Sequence, residues 1–531
     1  MSDVTGPPAT AGDLVALGAR RAGRAVAVQD RDGRSVTYAG LDERSNRLAQ
    51  ALLAQGLGRG DRVAAWMEDC REYVELYLAA AKAGLVMVPI NARYRAGEAA
   101  HQLGDSGAAA LVWTAGLNGE VARLGLAPSD LVTIATDPAA DARHSYDDVL
   151  AAGAPVRPPA PEPDDLFILG YTSGTTGAPK GAMLTHRSVL AIARLNALSY
   201  RLPPGSVAAL TGSMSFVATV PAHVLSHLFV GGRAVIMGRW DPDTLLATVR
   251  RERATFTYVP TPLLDDVTAA LAADAAAAAT LVSVLHSASK AEPRRLAALA
   301  AVIGDRFVEG WGMTENSGGL VTATTRADVR GDTAAADVFA SAGRAVPESV
   351  VEVVDGDGQP LPHDGSSVGE LVVRSPALLA GYWHNPAATA AALHDGWYRS
   401  GDLGCLDPAG YVYLTDRRTD LIVTGGMNVY PSEVERCLAA LAGVRECAVV
   451  GVPHERWGQT VTAAVVARPE AALSEAAVVD HCRRHLAGFK KPTAVVFLDA
   501  LPRTPNLKVA RAELRQLLTE RLQAAPAGQA G

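Results

Sequence analysis

Residues 62–90 read RVAAWMEDCREYVELYLAAAKAGLVMVPI. VAAWM is a short apolar run. Cys70, Tyr73, Val74, Tyr77, Leu78 and Ala81 then recur at helical spacing. Gly84 closes that helix, and LVMVPI is a second apolar run. Two strands joined by a helix, with no room for a hairpin, run parallel. The pattern returns at 234–259, where AVIM is a strand, Asp241 is a helix N-cap and Pro242 takes the first helical position. TLLATVRRER continues that helix and TFTYV is the next strand. Alternating strands and helices predict a layered α/β fold with parallel sheets.

The chain has 531 residues, enough for several domains. Hydrophobic residues make up 49% and charged residues 20%, which gives a folded protein ample core. A net charge of −7, without any basic run, argues against nucleic acid or an anionic membrane as the main partner. The five cysteines are odd in number and show neither a C-x-x-C pair nor a Cys/His ligand spacing, so no disulfide framework and no structural zinc is expected. MSDVTGPPATAGD lacks a signal pattern, and no charge-free apolar run reaches the ~18 residues of a membrane span. The Ala-rich stretch 268–284, interrupted by Asp274, is expected to be a helix. A cytoplasmic protein without an integral membrane segment is the expectation.

Residues 154–163, APVRPPAPEP, should form an extended connection. After about 340, VVEVVD, GELVVRS and YVYLTD read as strands of a β-rich subdomain. From about 417, CAVVGV, VTAAVVA and AVVFLD alternate with helical stretches, as in a compact α+β domain. The expected division is 1–416, with the β-rich subdomain at 340–416, followed by 417–531.

The strand ending at Tyr171 leads into TSGTTGAPKG (172–181). Successive amides in Gly-rich turns form anion-binding nests. Four hydroxyls and Lys180 add donors and charge, so the loop suits a polyphosphate. It is not the P-loop of nucleoside triphosphatases, because Gly174 and Gly177 are three apart and Pro179, not Gly, precedes Lys180.

YTSGTTGAPKGAMLTH (171–186) resembles the signature of the adenylate-forming superfamily, which holds acyl- and aryl-CoA ligases, nonribosomal adenylation domains and luciferases. Further stretches follow in family order: EGWGMTE (309–315), GELVVRSPALLAGYW (369–383), GWYRSGDLG (396–404), YLTDRRTDLIVTGGMNVYPSEVE (413–435) and LPRTPNLKVAR (501–511). The resemblance covers nearly the whole chain. It implies a large multi-lobed domain of layered α/β sheets with a β-rich subdomain, and a small mobile α+β lid.

The implied chemistry has two steps. A carboxylate attacks the α-phosphate of ATP and expels pyrophosphate. A nucleophile, usually the thiol of coenzyme A, then displaces AMP. Nucleotidyl transfer rests on positioning and charge neutralisation. By resemblance, Thr172, Ser173, Gly174, Thr175, Thr176, Gly177 and Lys180 cradle the β- and γ-phosphates. Thr314 touches the α-phosphate, and Glu315 holds Mg²⁺, a hard cation that prefers oxygen ligands. Glu309, Gly310, Trp311 and Gly312 belong to the same nucleotide motif, with Trp311 where an aromatic stacks on adenine. Asp402 in the RSGD turn accepts from the ribose hydroxyls, and Arg417 stands beside the ribose. Lys508 bridges the carboxylate and the α-phosphate, where charge develops. Gly425 and Gly426 match the backbone offered to the pantetheine arm after the lid swings. Two positions depart from the family. Thr419 replaces the usual Asp or Lys at the hinge, and Leu507 stands where Gly is common beside the lysine.

The acyl pocket departs most. SMSFVAT (213–219) puts Phe216 where the family carries His and Thr219 where it carries Gly. Ser287-Ala288-Ser289-Lys290 replaces Gly-Gly-Ala-Pro. Val217, Ala218, Val220 and His223 are further candidates for this wall, His223 reading as a packed helix residue rather than a catalyst. The substrate expected is a small carboxylic acid, aryl or medium-chain aliphatic. No Asp sits early in the 213–224 helix to hold an amino group, which argues against an amino acid. The acceptor is free coenzyme A, with a separate carrier protein, an amine or another nucleophile as the alternative. A luciferase-like oxygenase and a nucleotide binder without catalysis are the readings from other classes.

Overall fold

The computed structural model describes residues 8–524 apart from 127–130, 138–139, 173–178, 239–240, 288–290, 334–336, 418–419, 425–426, 455–456 and 505–507. The chain divides into two compact units. One comprises Met1–Val351, Val373–Arg399 and Ala409–Tyr411, and the other Glu352–Val372, Ser400–Pro408 and Val412–Gly531.

The first unit is built on two large sheets. The eight-stranded sheet has at its centre the pair predicted from residues 62–90: Arg62–Trp66 and Val86–Ile90 are parallel and adjacent, joined by helix Arg71–Ala83. Gly84 ends that helix in the left-handed conformation (φ 69°) that a Cβ disfavours. Leu166–Thr172 extends the sheet parallel to Val86–Ile90, and Lys180–Thr185 returns antiparallel to it. Both faces are covered, as parallel sheets require. Val63 and Ala65 enter one apolar core, whereas Ala64 and Trp66 enter another.

The nine-stranded sheet carries parallel strands Val26–Gln29, Arg233–Ile236, Val207–Leu210, Phe256–Val259, Ser283–His286 and Phe307–Gly312 in spatial order, with antiparallel additions at both edges. Arg233–Ile236 and Phe256–Val259 are parallel as expected, but Val207–Leu210 lies between them. Helix Pro242–Glu252 joins them, and Asp241 accepts at 2.9 Å from the Thr244 amide as its N-cap. The core shared by the two sheets holds Val63, Ile168, Ala208, Ala234 and the buried faces of helices Ala11–Ala22, Tyr38–Ala54 and His186–Ser199. The Ala-rich stretch is not one helix. Leu264–Ala273 stops at Asp274, whose carboxylate caps a second helix, Ala275–Ala278, at the Ala277 amide (3.0 Å). The stretch then ends in strand Ser283–His286.

The second unit contains the strands Ile422–Thr424, Met427–Val429, Val444–His454, Gly458–Ala467 and Ala494–Phe497 in one sheet. Val449, Val461 and Val465 pack under helices Pro431–Ala439 and Glu475–His485. On the other face Val450, Val452 and Ala464 meet Leu514 and Leu518 of helix Arg511–Ala524. Strands Val350–Val354, Gly369–Arg374 and Trp397–Leu406 of a further sheet are each crossed by the division between units. Among the described residues no helix is long and apolar enough to cross a membrane.

Candidate active site

The glycine-rich stretch connects two paired strands. Pairing continues one residue beyond Tyr171, to Thr172 opposite Lys180. Lys180 therefore begins the return strand rather than standing in the loop. Ser173, Gly174, Thr175, Thr176 and Gly177 lie outside the described residues. Gly170, three residues before Ser173, is a point of close approach. A Cβ there would stand 2.7 Å from Val217 Cγ2 and 3.0 Å from Thr314 Cγ2. One glycine thus lets strand Leu166–Thr172, Thr314 and Val217 meet.

Strand Phe307–Gly312 carries Glu309, Gly310, Trp311 and Gly312, and a tight turn at Thr314–Asn316 follows. Glu315 is half-buried there, and its carbonyl accepts from the Leu379 amide at 2.8 Å. The Tyr382 hydroxyl donates to Glu315 Oε1 at 3.1 Å and stands 3.1 Å from the Tyr398 hydroxyl. Burial and then the Glu315 charge push the Tyr382 phenol up, so it remains a donor. Lys180 Nζ lies over the same Tyr382 ring, 5.7 Å from its centroid. The structure so gathers a cation and a carboxylate around one tyrosine. Neither Tyr382 nor Tyr398 was singled out from sequence.

Trp311 is buried, with its amide donating to Thr322 Oγ1 at 3.3 Å. The Glu309 carboxylate is engaged with a neighbour, its Oε2 2.7 Å from His286 Nδ1. His286 Nε2 meets Thr261 Oγ1 at 2.9 Å. Burial raises the Glu309 pKa, and His286 opposes that rise. The Ser287 hydroxyl donates to the Gly310 carbonyl (2.8 Å) and the Tyr258 hydroxyl to the Ser287 carbonyl (3.3 Å). Gly310 and Gly312 are needed for the hairpin with Leu320–Ala323, since a Cβ would fall 2.6 Å from the Thr322 carbonyl oxygen and 2.4 Å from that of Gly319.

The expected 213–224 helix takes another form. Residues 213–217 are a turn, closed by the Phe216 amide on the Ser213 carbonyl (3.1 Å) and by Thr219 Oγ1 on the same carbonyl (2.6 Å). Ala218–Val224 is a π-helix, with the Leu225 amide bonded back to the Val220 carbonyl. Pro221 lies inside it and has no amide to give, which favours a locally widened winding. Asp69 anchors the turn: its Oδ1 accepts from the Met214 amide (2.7 Å) and Ser213 Oγ (3.1 Å). Burial raises the Asp69 pKa, and the Met214 and Ser213 hydrogen bonds oppose that rise. Phe216 is half-buried, and Val217, Val220 and His223 are buried. Val217 and Ala218 pack on Gly318, where φ is 77° and a Cβ would meet the Ala218 nitrogen at 2.6 Å. His223 sits among Tyr200, Phe256 and Tyr258, 5.6–5.9 Å between ring centroids, and burial lowers its pKa to about 3. A neutral packed ring is what its helical position suggested. Ala288, Ser289 and Lys290 lie outside the described residues.

In the second unit Asp402 pairs across strands with Arg417. Asp402 is not in a turn. It lies inside strand Trp397–Leu406, beside Gly401 with φ 71° and a register shift between 402 and 404. Its amide donates to Ser400 Oγ at 3.1 Å. Lys508 is exposed, and its carbonyl accepts from the Thr504 amide at 2.8 Å. Gly425, Gly426, Thr419 and Leu507 lie outside the described residues.

These features accompany a family match. Residues 16–383 fit the AMP-binding enzyme family, and residues 433–508 fit the AMP-binding enzyme C-terminal domain. The chain belongs to the AMP-binding enzyme family. A feruloyl-CoA synthase from Amycolatopsis sp. is 34% identical over 94% of this chain and 97% of its own. The fatty acid–[acyl-carrier-protein] ligase ScoC of Streptomyces coeruleorubidus is 34% identical over 91% of this chain and 92% of its own. The crystal structure of ATP-bound MatB from Rhodopseudomonas palustris superposes with a TM-score of 0.86 at 30% identity, covering 96% of this chain and 99% of that one. As an AMP-binding enzyme, this chain is an AMP-forming acyl-CoA synthetase: it activates a carboxylic acid with ATP and transfers the acyl group to a thiol. The fold expectation, layered α/β sheets with a smaller α+β unit after them, holds.

Proposed function

We propose that the acid is an aryl or medium-chain aliphatic carboxylate and that the accepting thiol is coenzyme A. The observation that carries the site is the Lys180–Tyr382–Glu315 cluster, a cation and a carboxylate held around one buried phenol at the end of the glycine-rich hairpin. Lys180 and Thr172 grip the terminal phosphates, and Thr314 orients the α-phosphate. The half-buried Glu315 carboxylate suits a hard cation, because Mg²⁺ is commonly held by one or two carboxylates together with substrate phosphates. Mg²⁺ there would neutralise charge on the phosphates. Asp402 and Arg417 hold the ribose, and Lys508 is the cation that meets the reacting carboxylate. In the first step a carboxylate oxygen bonds to the α-phosphorus as the bond to pyrophosphate breaks. In the second, the thiol sulfur bonds to the acyl carbon, AMP leaves, and the thiol proton passes to solvent. Rotation of 417–531 about the junction after residue 416, offering Gly425-Gly426 to pantetheine, separates the steps.

The feruloyl-CoA synthase relative supports an aryl acid. The ScoC relative supports the second reading, an aliphatic acid passed to a carrier protein. An acid panel read by pyrophosphate release, with products resolved by mass spectrometry with and without coenzyme A, tests both. Acyl-CoA from an aryl or medium-chain acid is expected. Adenylate that accumulates unchanged when coenzyme A is added would overturn the acceptor.

A further inference from the structure

The second unit carries a nitrogen–sulfur cluster for which the adenylation chemistry has no use. His481 and His485 stand one turn apart on helix Glu475–His485, and Cys437 projects from helix Pro431–Ala439. One ligand atom from each of the three lies within 4.8 Å of the others. Cys437 and His481 are half-buried and His485 is exposed, so an ion could reach them from solvent.

The hydrogen bonds already orient both imidazoles. His481 Nε2 faces the Cys437 carbonyl at 2.9 Å, and His485 Nδ1 faces the His481 carbonyl at 2.8 Å. A carbonyl oxygen only accepts, so those two nitrogens carry the protons. In the neutral rings, His481 Nδ1 and His485 Nε2 keep their lone pairs. Metal-bound histidines characteristically donate the other ring N–H to a carbonyl in this way, which fixes tautomer and orientation. The ring centroids lie 4.5 Å apart, with the planes tilted by 36°. No carboxylate belongs to the set, which argues against a hard cation.

We propose that Cys437, His481 and His485 form a binding site for one divalent transition-metal ion, zinc foremost, that joins helix Pro431–Ala439 to helix Glu475–His485. One thiolate and two imidazoles are ligands zinc takes in tetrahedral sites, and three protein ligands leave a fourth position for water. Zinc–ligand bonds of about 2.0–2.3 Å place tetrahedral ligand atoms roughly 3.5 Å apart. Closing from 4.8 Å needs a shift of about 1 Å, within reach of the exposed His485 side chain. On binding, the Cys437 S–H bond breaks, its proton goes to solvent and the sulfur lone pair bonds the metal.

The test uses the full chain, reduced with a phosphine and stripped by chelator. Cobalt(II) titration should saturate at one equivalent, with a thiolate-to-cobalt charge-transfer band and the visible bands of four-coordinate cobalt. Zinc should displace the cobalt and raise the melting temperature. Cys437→Ser should abolish the charge-transfer band. His485→Ala should weaken binding at least ten-fold and remove the thermal shift, while acid-dependent pyrophosphate release stays unchanged. His485 is exposed, so that variant decides the matter even if Cys437→Ser does not fold. Cobalt binding without a thiolate band, or His485→Ala binding as tightly as the parent chain, overturns the proposal.

Discussion

Replacing Tyr382 with Phe removes one oxygen atom from the Lys180–Glu315 cluster and nothing else. The ring stays, and with it the contact under Lys180 Nζ at 5.7 Å from the centroid. What disappears is the hydroxyl 3.1 Å from Glu315 Oε1 and 3.1 Å from the Tyr398 hydroxyl. A hydrogen bond to a charged group contributes about 1.5–3 kcal/mol. Glu315 is only half-buried, so water recovers part of that, and the lower end, about 1.5 kcal/mol, is the expected loss. That corresponds to roughly a ten-fold fall in kcat/KM for Mg²⁺–ATP. Because Glu315 is read as a ligand to the phosphate-bound Mg²⁺, the loss should appear mainly as a raised KM and should shrink at high Mg²⁺. The assay is acid-dependent pyrophosphate release from Tyr382→Phe, Glu315→Gln and the double variant. Two residues acting through one bond give less than the sum of their single effects, with a coupling of about 1 kcal/mol. Strict additivity would refute the reasoning, because it would mean that Tyr382 does not act through Glu315.

Lys508→Ala should abolish pyrophosphate release yet largely spare acyl transfer from preformed acyl-adenylate; equal loss of both would remove Lys508 from the first step. Gly318→Ala forces a Cβ to 2.6 Å from the Ala218 backbone at a φ of 77°, so a loss of about 1–3 kcal/mol in stability is expected by thermal melting, with altered acid preference. Asp69→Ala frees the Ser213–Met214 turn, so the acid panel should broaden while KM for ATP holds; an unchanged acid profile would detach Asp69 from the acyl wall. Stability should also fall on acidification from about pH 6.5 to about 4. Burial lowers the pKa of His186 to about 4, of His223 to about 3 and of His227 to about 4, so between those values and the unfolded pKa of about 6.5 the unfolded chain binds more protons. His186 alone, stacked on Phe167 at 4.6 Å, is worth roughly 3 kcal/mol over that window, and His186→Phe should flatten the slope in pH-dependent denaturant melts.

The parallel framework was legible because it rests on local periodicity. An apolar run, a helical spacing and a glycine stop in 62–90 each encode one element, and the helix between them leaves the strands no choice but to run parallel. The family was legible because its motifs are short contiguous patterns. What stayed hidden is made by residues far apart in the chain. Tyr382 reaches Glu315 across 67 positions, and Asp69 reaches Met214 across 145. Nothing near Asp69 in sequence marks it as the anchor of a distant turn. The Cys437–His481–His485 cluster was missed for a related reason. No C-x-x-C pair flags the site, and Cys437 lies 44 positions before His481; His481 and His485 are four apart, which on a helix is one face, and the fold brings Cys437 to that face from another helix. The 213–224 segment failed differently: helical spacing was read correctly, but Pro221 and the Ser213 turn shift its bonding from i→i+4 to i→i+5 over Ala218–Val224. That winding rotates the residues on it relative to an α-helix, so the side chains expected to line an acyl wall cannot be counted off at 3.6 residues per turn. Phe216 lies on the turn ahead of the π-helix, whose start Asp69 holds through Ser213 and Met214, so for the acyl wall expected from sequence the acid panel of Asp69→Ala reads that turn more directly than substitutions along the helix.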